Sequence, residues 1–260
     1  MEKKKVKCAL VTIMTVMALL TITLVIVYVV YPNKIRRLLI LASSNMEIFV
    51  DRLNGRPYTV EGYDGIDVSK HNGVIKWDEV AKNENVKFVY IKATEGKNHT
   101  DRRYSWNIRD ARKAGLKVGS YHFFTSSGSA TAQFAHFSTV VRKEEQDLIP
   151  VLDVEASGIK GKWNDKQLQD SIWTFLNLAK KHYGKYPIIY SNEHFYNHQL
   201  GHAFDDLYLF IANYQSRPRL MGRGKHNIWQ YTERGHLKGI GEYVDLNRLD
   251  NGMTVENLMW

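Results

Sequence analysis

The chain reads Ile149-Pro150-Val151-Leu152-Asp153-Val154-Glu155, a nearly apolar stretch that ends in two acids. Side chains alternate along a strand, so Val151, Asp153 and Glu155 share one face while Leu152 and Val154 take the other. Two carboxylates on one face of an apolar strand are costly to bury without partners. Their proximity raises the proton affinity of one of them, which suits a proton donor working near neutral pH. Hydrolysis of a glycosidic bond needs two carboxylates placed this way. An exposed acidic strand end or a metal site would use the same residue types. Two further strand-like runs carry acids at their ends: Gly65-Ile66-Asp67-Val68-Ser69 and Tyr243-Val244-Asp245-Leu246-Asn247.

The elements that must hold these acids alternate in type. Strand candidates are Tyr63 to Val68, Val86 to Ala93, Leu116 to Phe124, Leu148 to Glu155, Tyr186 to Ser191, Leu207 to Asn213, His226 to Thr232 and Tyr243 to Leu246. Between most of them the apolar spacing is helical, as at Tyr104, Ile108 and Ala111, or Ala130, Phe134, Phe137 and Val141. Gly115 is placed to end the first of these, and Asn164 with Gln167 resembles a capping box before a third. Eight strands alternating with helices predict an α/β fold with parallel strands, an irregular TIM-like (β/α) barrel. The connections after residue 213 are too short for full helices, so the last strands should lack covering helices. In such a barrel the functional residues stand at the C-terminal ends of the strands.

The chain has 260 residues, 44% of them hydrophobic and 24% charged, which excludes a disordered protein, a collagen-like fibre and a polytopic membrane protein. The net charge of +9 is uneven: residues 1–62 hold nine Lys/Arg against four acids, and the rest is close to balanced. With no basic stripe on one helix and no nucleic-acid motif, nucleic acid is not expected as a partner. The single cysteine, Cys8, excludes an intramolecular disulfide and a cysteine-based metal site.

Lys3, Lys4, Lys5 and Lys7 precede an uncharged run from Cys8 to Tyr31, which at ~1.5 Å per residue is long enough to span a bilayer. It has no small-residue cleavage site. We therefore expect 1–7 as a cytoplasmic basic tail and 8–31 as one N-terminal transmembrane helix, a signal anchor in the cytoplasmic membrane. Residues 32–61 form a juxtamembrane stalk, and 62–260 form an extracytoplasmic domain in the periplasm or cell wall.

From about Gly62 to Asp250 the residues match a known pattern. The segments are GIDVSKHNG at 65–73, FVYIKATEG at 88–96, VGSYHFF at 118–124, IPVLDVE at 149–155, PIIYSN at 187–192, IANY at 211–214, IWQYT at 228–232 and VDLN at 244–247. In this order the domain resembles glycoside hydrolase family 25, the Chalaropsis-type lysozymes that cut peptidoglycan. The resemblance implies that Glu155 is the catalytic acid and then base. Asp153 would be the second catalytic carboxylate, acting through the substrate's 2-acetamido group or as a direct nucleophile. Asp67 and Asp245 would line the site, orient water and tune Glu155. Lys92 and Glu95 would hold its charge network, with a structural ion pair as the alternative for Glu95. Tyr121, Tyr190, Tyr214 and Trp229 lie near strand ends and suit stacking on sugar rings, with Gln230 as a hydrogen-bonding neighbour. Phe123 reads as core.

The resemblance implies a muramidase acting on peptidoglycan glycan strands, which the N-terminal run would anchor in the membrane; carboxylates and water suffice for the reaction, so no cofactor is expected, nor a metal, and the protein is expected to be a monomer. Two other readings are a wall-binding module with a degenerate site and another barrel hydrolase of N-acetylglucosamine polymers, such as a chitinase. The intact acids oppose the first. The short Asp153-Val154-Glu155, against the longer chitinase signature, opposes the second. Phe210 stands where the family often has Trp, and Asn72 where it often has Gln. His194, His198 and His202 recur every four residues, but no H-E-x-x-H accompanies them and no metal site is expected.

Overall fold

The computed structural model describes residues 62–260 apart from 162, 216 and 223, and gives His202 by its backbone alone. The basic tail, the transmembrane helix and the stalk expected over 1–61 lie outside the described residues.

Nine strands are described: β1 Gly65–Val68, β2 Phe88–Glu95, β3 His99–Thr100, β4 Lys117–Phe123, β5 Val151–Asp153, β6 Ile188–Asn192, β7 Leu209–Ala212, β8 His226–Gly235 and β9 Val244–Leu249. Eight of them close a barrel in the order β1, β2, β4, β5, β6, β7, β8, β9 and back to β1, while β3 pairs with the end of β2. All eight strands read from the sequence are present. Neighbours from β1 to β8 run parallel. β9 is antiparallel to both β8 and β1, which corrects the expectation of an all-parallel barrel. Only residues 236–243 join β8 to β9, too few for the helical crossover that a parallel pair needs.

The helices are α1 Trp77–Val80, α2 Tyr104–Lys113, α3 Ala130–Val140, α4 Asp165–Tyr183, α5 Glu193–Phe195 and α6 Val255–Leu258. Among the described residues none stands between β7 and β8 or between β8 and β9. The boundary signals act as read. Asn164 and Gln167 form a reciprocal capping box on α4, and Gly184 ends that helix in the left-handed region at φ 96°. From Glu193 to Phe204 the backbone passes from α to π to 3-10 geometry, so the four-residue histidine spacing does not measure one α-helical face.

Alternation along the strands divides the apolar residues into two layers. Phe88, Tyr90, Val151, Ile188, Tyr190, Phe210 and Ile228 fill the barrel, and Leu258 of α6 joins them with Leu148 and Ile149. Val89, Ile91, Leu152, Val154, Ile189 and Ile211 face outward against the helices with Ile172, Phe175 and Leu176 of α4. Each such side chain contributes roughly 1.5–3 kcal/mol when fully buried. Glycine admits the large interior rings: a Cβ on Gly119 would lie 2.4 Å from the Tyr90 ring. The Tyr90 hydroxyl then donates to the Ile149 carbonyl at 3.1 Å, so the ring is buried without an orphaned polar atom.

β5 is shorter than the stretch read from the sequence. The Ile149 N–H donates to the carbonyl of Leu258, outside the barrel ladder, and Pro150 has no N–H to give. Glu155 therefore stands two residues beyond the strand, although the Val154 N–H still bonds the Tyr190 carbonyl at 2.9 Å and holds it in line.

Candidate active site

The C-terminal ends of the parallel strands surround an open cavity of about 250 Å³. β1 and β9 supply Asp67 and Asp245, β2 supplies Tyr90 and Lys92, and β4 supplies Tyr121 and Phe123. Val151 and Asp153 of β5, Glu155 just after it, Tyr190 of β6 and Phe210 of β7 follow. Tyr214, Gln230 and Glu233 complete the wall with Ser69 and His71.

Asp67 and Asp245 are directly opposite one another in the antiparallel β1–β9 register. Asp67 Oδ2 accepts from Gln230 Nε2 at 2.8 Å and from Asn247 Nδ2 at 2.9 Å. Gln230 Oε1 in turn accepts from the hydroxyls of Tyr190, at 2.8 Å, and Tyr214, at 2.7 Å. Burial raises the proton affinity of both acids, and more for Asp245, which faces Asp67 without those amide donors. The proton affinity is higher on Asp245, because the two amide N–H groups already stabilise charge on Asp67.

The pair at β5 is left open. Asp153 is 8% exposed, and its Oδ1 has no hydrogen-bond partner among the described residues. Burial first, and the Glu155 charge second, push its carboxyl well above the usual range. Glu155 is also raised, chiefly by burial, with one oxygen accepting from the Ser157 hydroxyl at 3.1 Å. A carboxyl that keeps its proton upward of the ordinary range can serve as a general acid. Lys92 opposes these shifts as a nearby cation. Its ammonium is 2.8 Å from Glu95 and 4.6 Å from the centre of the Phe123 ring.

Asp67, Asp153, Glu155, Asp245, Tyr121, Tyr190, Tyr214 and Gln230 are brought together on this cavity as read. Two expected contacts are not. Trp229 alternates with the inward Ile228 and Gln230, so it faces out. Its indole donates to the Asn213 carbonyl at 2.8 Å, and its ring packs on Tyr231 and under Arg248. Glu95 is outside the cavity wall and is paired with Lys92. Phe123 lines the cavity, contrary to its reading as core. Tyr90 was legible in principle, two residues before Lys92 on the same strand face. Glu233 was not. Strict alternation from Gln230 points Thr232 inward, but β8 breaks register on either side of Thr232, and the bulges turn Glu233 to the cleft.

Among the described residues no group of three or more His, Cys, Asp or Glu is arranged to hold a metal ion. The arrangement offers a half-buried proton donor, an unsatisfied carboxyl beside it, and tyrosine rings with fixed hydroxyls.

The family model described as "Glycosyl hydrolases family 25" matches residues 66–240. The chain is 38% identical over 206 residues to the uncharacterized protein YegX of Escherichia coli K12, covering 77% of this chain and 72% of that protein. It is 32% identical over 198 residues to the autolytic lysozyme of Clostridium acetobutylicum, covering 74% of this chain and 57% of that one. Among solved structures, a family 25 glycosyl hydrolase from Bacillus anthracis superposes with a TM-score of 0.69 at 32% identity, over 76% of this chain and 94% of that chain.

Proposed function

The chain belongs to glycosyl hydrolase family 25 and is a glycoside hydrolase, and from that premise we propose that it is a muramidase, hydrolysing the β-1,4 bond between N-acetylmuramic acid and N-acetylglucosamine in peptidoglycan. The observation that carries this reading is the β5 pair: a raised Glu155 beside an Asp153 whose Oδ1 has no hydrogen-bond partner among the described residues. Glu155 protonates the glycosidic oxygen as the bond to the anomeric carbon breaks, and then takes a proton from the attacking water. The free Asp153 acceptor suits the N–H of the substrate's 2-acetamido group. Held there, the acetamido carbonyl oxygen can attack the anomeric carbon and form a cyclic intermediate that water opens. A trapped glycosyl ester on Asp153 would instead mark it as the direct nucleophile. Tyr121, Tyr190 and Tyr214 offer rings to pyranose C–H faces, and the Asp67–Asp245 seam keeps Gln230 and two of those tyrosines in register.

Residues 8–31 anchor the enzyme in the cytoplasmic membrane, and the domain works on the wall outside it. The support is the uncharged run between the Lys3–Lys7 cluster and Pro32. Digestion of purified peptidoglycan by the full chain tests the bond assignment. Mass analysis of borohydride-reduced products should find reduced muramic acid at the new ends. Reduced glucosamine at those ends would show the neighbouring bond to be the target.

A further inference from the structure

The cleft has two unlike lips. Glu233 stands on one, turned inward by the bulges of β8. Ser69 and His71, on either side of Lys70, belong to the other. Lys70 begins a 3-10 turn, Lys70–Asn72, immediately after β1. That turn is tied in four places: Ser69 N to Asn72 Oδ1 at 2.8 Å, His71 N to Ser69 Oγ at 3.2 Å, Lys70 N to Asp101 Oδ2 at 3.0 Å, and Asn72 Nδ2 to the Tyr243 carbonyl at 2.8 Å. The Lys70 ammonium lies 3.3 Å from Nε2 of His99, on β3. An ammonium only donates, so this Nε2 accepts, and the imidazole aims the cation without cancelling its charge. Among the described residues the Lys70 ammonium makes no ion pair with a carboxylate, though Glu95 is near enough to feel its charge. The two nearby acids are already engaged: Glu95 holds Lys92 at 2.8 Å, while the buried Asp101 accepts the backbone N–H groups of Lys70 and Arg103. Exposed His71 joins this lip to the cleft wall.

We propose that Lys70, aimed by His99 and flanked by His71, binds carboxylate groups of the peptide stem carried by the muramic acid of the substrate. The proposal rests on the muramidase reading and deepens it. The chemistry follows from the two halves of such a substrate. The sugar rings offer hydroxyls and apolar faces, which suit the tyrosines. The stem, linked through the lactyl group, offers free carboxylates, for which a fixed ammonium with unused N–H donors is the matching partner. The protonated acids of the cleft floor offer such groups no cation, so the lip also sets which way the stem leaves the groove.

The test compares two glycans: intact peptidoglycan chains, and the same chains stripped of peptide by an amidase, which leaves only the short lactyl carboxylate on each muramic acid. The full chain should cleave the stem-bearing glycan with a kcat/KM roughly fivefold higher, as expected of a partly exposed ion pair. The difference should lie in KM and shrink as salt is raised. Lys70→Glu should remove the preference, and Lys70→Arg should keep most of it. Lys70→Gln and His99→Gln serve if the charge reversal fails to fold. Equal kcat/KM on the two glycans for the unaltered protein, or a preference that survives in Lys70→Glu and Lys70→Gln, overturns the proposal while leaving the muramidase reading intact. Cleavage of neither glycan overturns both.

Discussion

The two acid pairs of this barrel differ in one respect, and it sorts their work. At the β1–β9 seam, Asp67 and Asp245 face each other, and the amide donors of Gln230 and Asn247 satisfy Asp67. At the end of β5, Asp153 has a buried oxygen with no hydrogen-bond partner among the described residues, and Glu155 meets only the hydroxyls of Ser157 and Tyr190 there. A satisfied carboxyl is held in place and has little capacity left for a substrate. An unsatisfied one carries a desolvation cost that a substrate can relieve. On the proposed mechanism the seam positions and β5 reacts.

The largest effect expected from this contrast is at β5. Glu155→Gln should lower kcat on peptidoglycan by at least about 100-fold, the low end of what general acid catalysis contributes. Asp153→Asn should be severely impaired as well. Steady-state assays beside thermal melts separate a loss of rate from a loss of fold. At the seam the cost should be smaller. Asp67→Asn should reduce kcat/KM by roughly tenfold, the worth of about one hydrogen bond in placing the tyrosines and Gln230. A larger loss at Asp67 than at Glu155, in proteins that melt normally, would reverse the assignment.

Stability should move the other way. The folded values of Asp153 and Asp245 are raised, so the native state holds protons that the unfolded chain has released. Their contribution is complete below the ordinary aspartate range near pH 3.9 and is lost as pH rises through the higher folded values. Asp153→Asn should therefore raise the melting temperature at pH 7, by the equivalent of about 1 kcal/mol, and flatten the gain in stability on acidification. Melting curves from pH 4 to 8 would read this. A variant that melts lower at pH 7 and keeps the wild-type slope would contradict the burial argument.

The smallest effect should be at Trp229. Its ring packs outside the barrel with Tyr231 and Arg248. Trp229→Phe should leave kcat/KM within about twofold while costing some stability, since it removes the indole bond to the Asn213 carbonyl. A selective rise in KM would return Trp229 to the groove.

Much of this was legible in the residues. The eight strands, the four acids and the inward face shared by Asp153 and Glu155 follow from alternation and boundary residues. What was not legible depends on where alternation stops. The bulges of β8 reset which side chains face in, so Glu233 turns toward the cleft. On the same strand Trp229 follows simple alternation from Gln230, and resemblance in type drew it to the site. The antiparallel return of β9 places Asp245 beside Asp67, and nothing local to either segment announces that pairing.

The central claim is that Glu155 is the proton donor. It is tested most directly by turnover of Glu155→Gln on two substrates that share the reacting sugar and differ in the leaving group. One is a natural glycan chain, whose departing oxygen must be protonated. The other is a dinitrophenyl glycoside, whose departing phenolate needs no proton. The account predicts a loss of at least about 100-fold on the glycan and a much smaller loss on the dinitrophenyl glycoside. Equal losses on both, or near wild-type turnover of the glycan, would contradict it.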